Sequence, residues 1–173
     1  MKTFLIFILL VYHVSYAKSD TEQAGDILSL FIPAIAYGTT LWTEDSQGQI
    51  EFYKSYGSTI ALTHILKETV RAPRPNHPDS HTSFPSGHTS SAFSGATFIH
   101  KKYGFNYAIP AYIGAIYTGY SRVHAKKHYT KDVIAGALLG IGFSWYFTTP
   151  YKNLKISPTI ENKSYGLQFN YTW

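Results

Sequence analysis

Cysteine is absent from the 173 residues. No disulfide framework can staple this chain, and no thiolate is on hand as nucleophile or metal ligand. Charge is sparse too, at 14% of residues, and the lysines and arginines stand in ones and twos. Without a basic run, a nucleic-acid surface is a poor fit. Long apolar runs are also missing. The uncharged stretches Ile27 to Thr43 and Val133 to Thr149, 17 residues each, sit at the lower edge of bilayer-spanning length. Both are diluted with Gly, Ser, Thr and Tyr, and the mean hydropathy is −0.12. This pattern favours a periplasmic or membrane-associated bundle over a fully embedded one.

Aromatics are plentiful, with 15 Tyr and 11 Phe, which excludes a disordered chain. The length fits one domain with a substantial core. A formal charge of +5 suits an anionic substrate or an anionic membrane surface without choosing between them.

The N-terminus has the build of an export signal. Lys2 precedes an apolar stretch from Phe4 to Val14, then Ser15-Tyr16-Ala17 and the polar Lys18-Ser19-Asp20. Residues 1–17 are therefore expected to be a signal peptide, and an uncleaved anchor helix is the alternative. Residues 18–150 are expected to form a helical domain and 151–173 a tail.

Apolar spacing predicts five helices, over about Gln23 to Trp42, Ile50 to Val70, Ser86 to Tyr103, Tyr107 to Arg122 and Thr130 to Thr148. Ala72-Pro73-Arg74-Pro75 breaks the second, and Asn76 to Phe84 reads as a loop. In the tail, Tyr165, Leu167, Phe169, Tyr171 and Trp173 alternate with small or polar residues, the period of a strand. The fold expected is all-α, a bundle of about five helices with a short C-terminal β-hairpin.

Three clusters carry chemistry: Lys67 with Arg74-Pro75, Pro85-Ser86-Gly87-His88, and Ser121-Arg122 followed by His128 and Asp132. Singly, each has a structural explanation, as helix-end cations, a helix start and a surface i, i+4 pair. Together they describe an anion site with proton-transfer groups. Transfer of a phosphoryl group spreads charge over three equatorial oxygens, which fixed cations must meet. Lys67, Arg74 and Arg122 are those cations, and Ser86 and Gly87 open a helix whose N–H groups would face the same oxygens. Asp132, one turn from His128, would hold one ring nitrogen so that the other is free to attack. His88 would protonate the leaving group. His77, Asp79 and His81 could gather a metal, but their loose spacing makes that a weaker reading.

The pattern K-x6-R-P, P-S-G-H, S-R-x5-H-x3-D resembles the three-part signature of the type 2 phosphatidic acid phosphatase superfamily, which includes lipid phosphatases, bacterial acid phosphatases and vanadium haloperoxidases. Every fixed position is filled between Lys67 and Asp132. The resemblance implies an all-helical core with His128 as nucleophile and His88 as general acid/base. It implies Lys67, Arg74, Ser86, Gly87 and Arg122 as phosphate ligands, with no metal or other cofactor and vanadate acting only as an inhibitor. The run from His128 into Ala135-Gly136-Ala137-Leu138-Leu139-Gly140 looks more like the lipid phosphatases. The expected partner is thus a phosphorylated lipid at a membrane surface, outside the inner membrane. A soluble acid phosphatase is the alternative, followed by a haloperoxidase and by a non-catalytic envelope protein that binds lipid. Two features depart from the family: only Asn76 to Phe84 separates the first two clusters, and Lys126-Lys127 makes the approach to His128 more basic.

Overall fold

Ser19 opens the first helix: its Oγ accepts from Glu22 N at 3.3 Å, which starts helix α1 (Asp20–Trp42) three residues before the apolar pattern would. In the computed structural model, residues 19–151 are described in full, and beyond them only the backbone of 154–161 and 164–171. The expected signal peptide lies outside the described residues. Helix α2 (Ser46–Val70) also starts early. The run Glu44 to Gly48 reads as a turn, yet Asp45 Oδ1 accepts from Gly48 N at 2.7 Å and makes that run a helix start. Arg71 closes α2 in the left-handed conformation. Then follow α3 (Gly87–Tyr103), α4 (Phe105–His124) and α5 (Thr130–Phe147). The fold of the helical region is therefore all-α, with five helices and no strand among residues 19–151.

Helix α3 is the axle, packed against all four others. Small residues permit the approach. A Cβ on Gly140 would lie 2.5 Å from Ser90 O, and one on Gly136 would lie 2.5 Å from Ser86 O, so α5 rides directly on the α3 backbone. A Cβ on Gly95 would lie 2.7 Å from Pro33 Cα, so α1 crosses α3 with equally little clearance.

The interior is largely hydroxyl. Thr63 donates to Ser90 Oγ at 3.0 Å, Ser91 donates to Ser29 O at 2.7 Å, and Ser94 and Ser144 share a bond of 2.9 Å. These side chains are buried, and hydrogen bonding is what lets them be so. The apolar core is confined to two small clusters, around Phe52 and Phe98 and around Ile32, Ala92 and Ala115. Many large aliphatics lie outside instead: Leu30 is 67% exposed, Ile113 65% and Leu138 64%. This reverses the arrangement of a soluble bundle.

At the end of the bundle where α2 begins and α3 ends, a buried ionic knot ties the chain. Lys102 Nζ lies 3.0 Å from Glu51 Oε2 and 3.1 Å from Asp45 Oδ2. Thr149 caps the same Glu51 by N–H and hydroxyl, and Tyr151 N donates to Lys102 O at 2.7 Å. A lysine this buried survives because both its carboxylates are within contact.

Candidate active site

All three sequence clusters converge at the opposite end. Lys67 comes from the last turn of α2, Arg74 from the loop, Gly87 and His88 from the first turn of α3, and His128 from the loop between α4 and α5. They line one cleft of about 290 Å³, whose wall is completed by Ser29, Leu30, Ile60, Thr63, His64 and Ser91. Each residue arrives by a local device. Lys67 Nζ donates to Thr82 O and Pro85 O, both at 2.7 Å, so the cation also pins the loop that leads into α3. Arg74 is held by its backbone, its N–H bonded to Ser80 O at 3.1 Å, while its buried Nε has no hydrogen-bond partner. An anion in the cleft would satisfy that donor.

His128 and Asp132 are buried. Asp132 Oδ2 accepts from Ser83 Oγ at 2.6 Å and from Tyr129 N at 2.9 Å, which fixes the carboxylate at the start of α5. His128 Nδ1 stands 3.8 Å from that oxygen and makes no hydrogen bond of ordinary geometry. The pair is aligned but not closed. Burial pushes the His128 imidazole down to about 3, with the Lys67 and Arg74 charges adding to the effect and the Ser83 carbonyl and Asp132 opposing it. The ring is therefore neutral at any ordinary pH, with a lone pair available for attack.

Two expected ligands sit differently. The Ser86 N–H donates to Asp132 O at 2.9 Å rather than opening into the cleft, and the Ser86 hydroxyl bonds Thr89 Oγ1 at 2.9 Å. The backbone of Ser86 is thus part of the frame that carries Asp132. Arg122 is 1% exposed and turned toward α1. Its Nη1 donates to Asp26 Oδ1 at 2.5 Å, its Nη2 to Glu22 O at 2.6 Å and its Nε to Ser121 Oγ at 3.0 Å. Three of its five guanidinium N–H groups are thus committed to α1 and Ser121, and its side chain is not among those lining the cleft.

Sequence reasoning placed α1 as a helix but gave it no part in the site. Glu22 pairs with Lys127, and Asp26 Oδ1 also lies 3.1 Å from His88 Nε2. The available signal was physical: Asp26, one turn after Glu22 and directly before a stretch with no charge, calls for a partner. His64 and Ser83 were missed as well, the one lining the cleft and the other holding Asp132. His77, Asp79 and His81 do not come together, and among the described residues no three acidic or histidine side chains gather as metal ligands.

Comparison with known proteins identifies the family. The family model described as "PAP2 superfamily" matches residues 50–155. A lipid A 4'-phosphatase of Helicobacter pylori is 32% identical over 169 residues, spanning 88% of this chain and 85% of that protein. A lipid A 1-phosphatase of Porphyromonas gingivalis is 44% identical over 62 residues, 34% of this chain and 14% of that protein. The crystal structure of Aquifex aeolicus LpxE shares the fold, with a TM-score of 0.55 at 22% identity, over 81% of this chain and 93% of that one.

Proposed function

The chain belongs to the PAP2 superfamily, and from that premise we propose that it is a metal-independent phosphatase of membrane lipids, acting through a phosphohistidine on His128. The observation that carries this reading is the cleft. It joins Lys67, Arg74, His88 and His128 in one space, and Leu30 and Ile60 give its otherwise polar wall two apolar faces. A phosphate at the cations would leave its lipid portion near Leu30, on a helix that also exposes Phe31 and Ile35.

The same exposed residues support a membrane setting. Helix α1, the one described helix long and apolar enough by composition to cross a bilayer, carries them. A hydroxyl interior and an aliphatic exterior suit lipid as solvent, since hydrocarbon outside gives no reason to bury leucine. Export by the N-terminal segment would put the cleft on the outer side of the inner membrane. The tail would add a hairpin, supported by antiparallel backbone pairing from Leu154 with Tyr171 to Glu161 with Ser164.

The chemistry follows from the placement. Lys67 and Arg74 hold the phosphate oxygens with the Gly87 backbone alongside, and Arg122 is the third cation of the site. The free nitrogen of His128 attacks phosphorus while Asp132 steadies the ring. The P–N bond forms as the P–O ester bond breaks, and His88 delivers its proton to the leaving alkoxide. Water then attacks the phosphohistidine, His88 takes the proton back, and phosphate leaves with His128 restored. The same site accepts a monoester or the terminal phosphate of a diphosphate. Likeness to the two lipid A phosphatases makes a phosphate of lipid A the first substrate to try, and phosphatidate and phosphorylated isoprenoids follow.

The test is phosphate release by detergent-solubilised protein from lipid A and from p-nitrophenyl phosphate, in EDTA, with and without vanadate. Wild-type protein should prefer the lipid, work in EDTA and be inhibited by vanadate, and His128→Ala should be inactive. Turnover that needs a metal or survives His128→Ala would sink the mechanism. Preference for the water-soluble ester would favour a general acid phosphatase.

A further inference from the structure

We propose that Asp26, on α1, is a positioning residue of this reaction: its Oδ1 holds the His88 imidazole and the Arg122 guanidinium at once, so proton donor and phosphate ligand meet the substrate as one unit. This rests on the function proposed above, and it assigns a role to a helix lying wholly upstream of residues 50–155, the part matched by the family model.

The geometry is specific. Arg122 Nη1 lies 2.5 Å from Asp26 Oδ1 and His88 Nε2 lies 3.1 Å from the same atom. The three residues come from α1, α3 and α4, so one oxygen fixes the mutual positions of three elements around the cleft. Gly25 is what lets α1 come so close. A Cβ there would lie 2.8 Å from Arg122 Nη2 and would collide with the Ser121 side chain. Glu22 one turn earlier accepts from Arg122 by its carbonyl and from Lys127 by its carboxylate, so this face of α1 forms a cradle for the loop that carries His128.

The two held groups differ in what they need. Arg122 is buried and has two further anchors, Glu22 O and Ser121 Oγ. The His88 side chain is 44% exposed, and Asp26 is its ion-pairing partner. Losing the carboxylate should therefore loosen His88 far more than Arg122. An imidazolium held through Nε2 offers the Nδ1 proton for transfer, in an orientation that Asp26 sets. Asp26 touches neither phosphorus nor the leaving group. It acts through His88.

That distinction gives the experiment. Asp26→Asn keeps size and an acceptor for Arg122 while removing the charge that holds His88. Two phosphate monoesters are compared in detergent: hexyl phosphate, whose alkoxide needs a proton to leave, and p-nitrophenyl phosphate, whose nitrophenolate does not. The variant should slow the hexyl ester at least about tenfold more than the nitrophenyl ester, and His88→Ala should show the same discrimination. The double variant should be no worse than His88→Ala alone. Equal slowing of both esters, no slowing, or multiplicative losses in the double variant would overturn the proposal. His128→Ala, run in parallel, tests the underlying mechanism separately. If it stays active, the phosphohistidine reading fails whatever Asp26 does; if it is dead while Asp26→Asn discriminates nothing, only this inference fails. Should Asp26→Asn not accumulate, Asp26→Ser takes its place with the same ratio read.

Discussion

His128 should make the folded protein acid-sensitive by an amount that can be isolated. In the unfolded chain an imidazole titrates near 6.5, whereas in the cleft it is pushed down to about 3, chiefly by burial. As pH falls below 6.5 the unfolded chain gains a proton that the folded one refuses. The stability from keeping His128 neutral is therefore fully present above about 6.5 and drains away as pH approaches 3. Between pH 7 and pH 4 about 2.5 pH units of this window are crossed. At about 1.4 kcal/mol each that is roughly 3 kcal/mol. For a domain of this size it corresponds to about 10 °C in apparent melting temperature. The perturbation is His128→Gln, which is polar and of similar reach but does not titrate. Melting is followed by tryptophan fluorescence in one detergent from pH 8 to pH 4. Carboxylates titrate in both proteins, so the quantity of interest is the difference between the two slopes. Wild type should lose about 10 °C more than the variant by pH 4. Parallel curves would show that His128 is not held neutral and that the account of the nucleophile is mistaken.

Two further outcomes are expected. Asp132→Asn keeps an acceptor for Ser83 Oγ and Tyr129 N but removes the charge facing His128 Nδ1, so kcat should fall roughly 10³-fold with the fold retained, checked by steady-state kinetics and circular dichroism. Gly140→Val would press a branched side chain onto Ser90 O and Ser94 N, which are backbone and cannot yield, and should cost about 1–3 kcal/mol or more, seen as a lowered melting temperature in detergent.

The grouping of the site residues was legible in the sequence because its parts are local. Pro85-Ser86-Gly87-His88 and the i, i+4 pair His128 and Asp132 are fixed by chain geometry over a few residues, and the structure brings them to one cleft with Lys67 and Arg74. The helices were legible too, to within a turn, their starts shifting where Ser19 and Asp45 supply caps. The surroundings of Arg122 were not. Its partners lie about a hundred residues away on α1, and only the crossing of α1 and α4 brings them together. Hydropathy was blind in a different way. The Ser, Thr and Gly residues that diluted the helices sit on faces turned inward, as Ser29, Thr40, Thr118 and Ser144 do, while the aliphatics face out. An average along the chain cannot separate two faces of one helix.

That inverted packing bears on how stability should depend on temperature. The heat capacity of unfolding comes from apolar surface newly met by water, and exposed polar surface subtracts from it. Here the side chains released from the interior are mostly hydroxyls, and the outer leucines and isoleucines are no part of the packed interior that unfolding opens. The heat-capacity increment per residue should fall below the ~12–15 cal/mol/K of soluble domains. The stability curve is then broad and shallow, so cooling should weaken this bundle less than it weakens a protein held together by a greasy core.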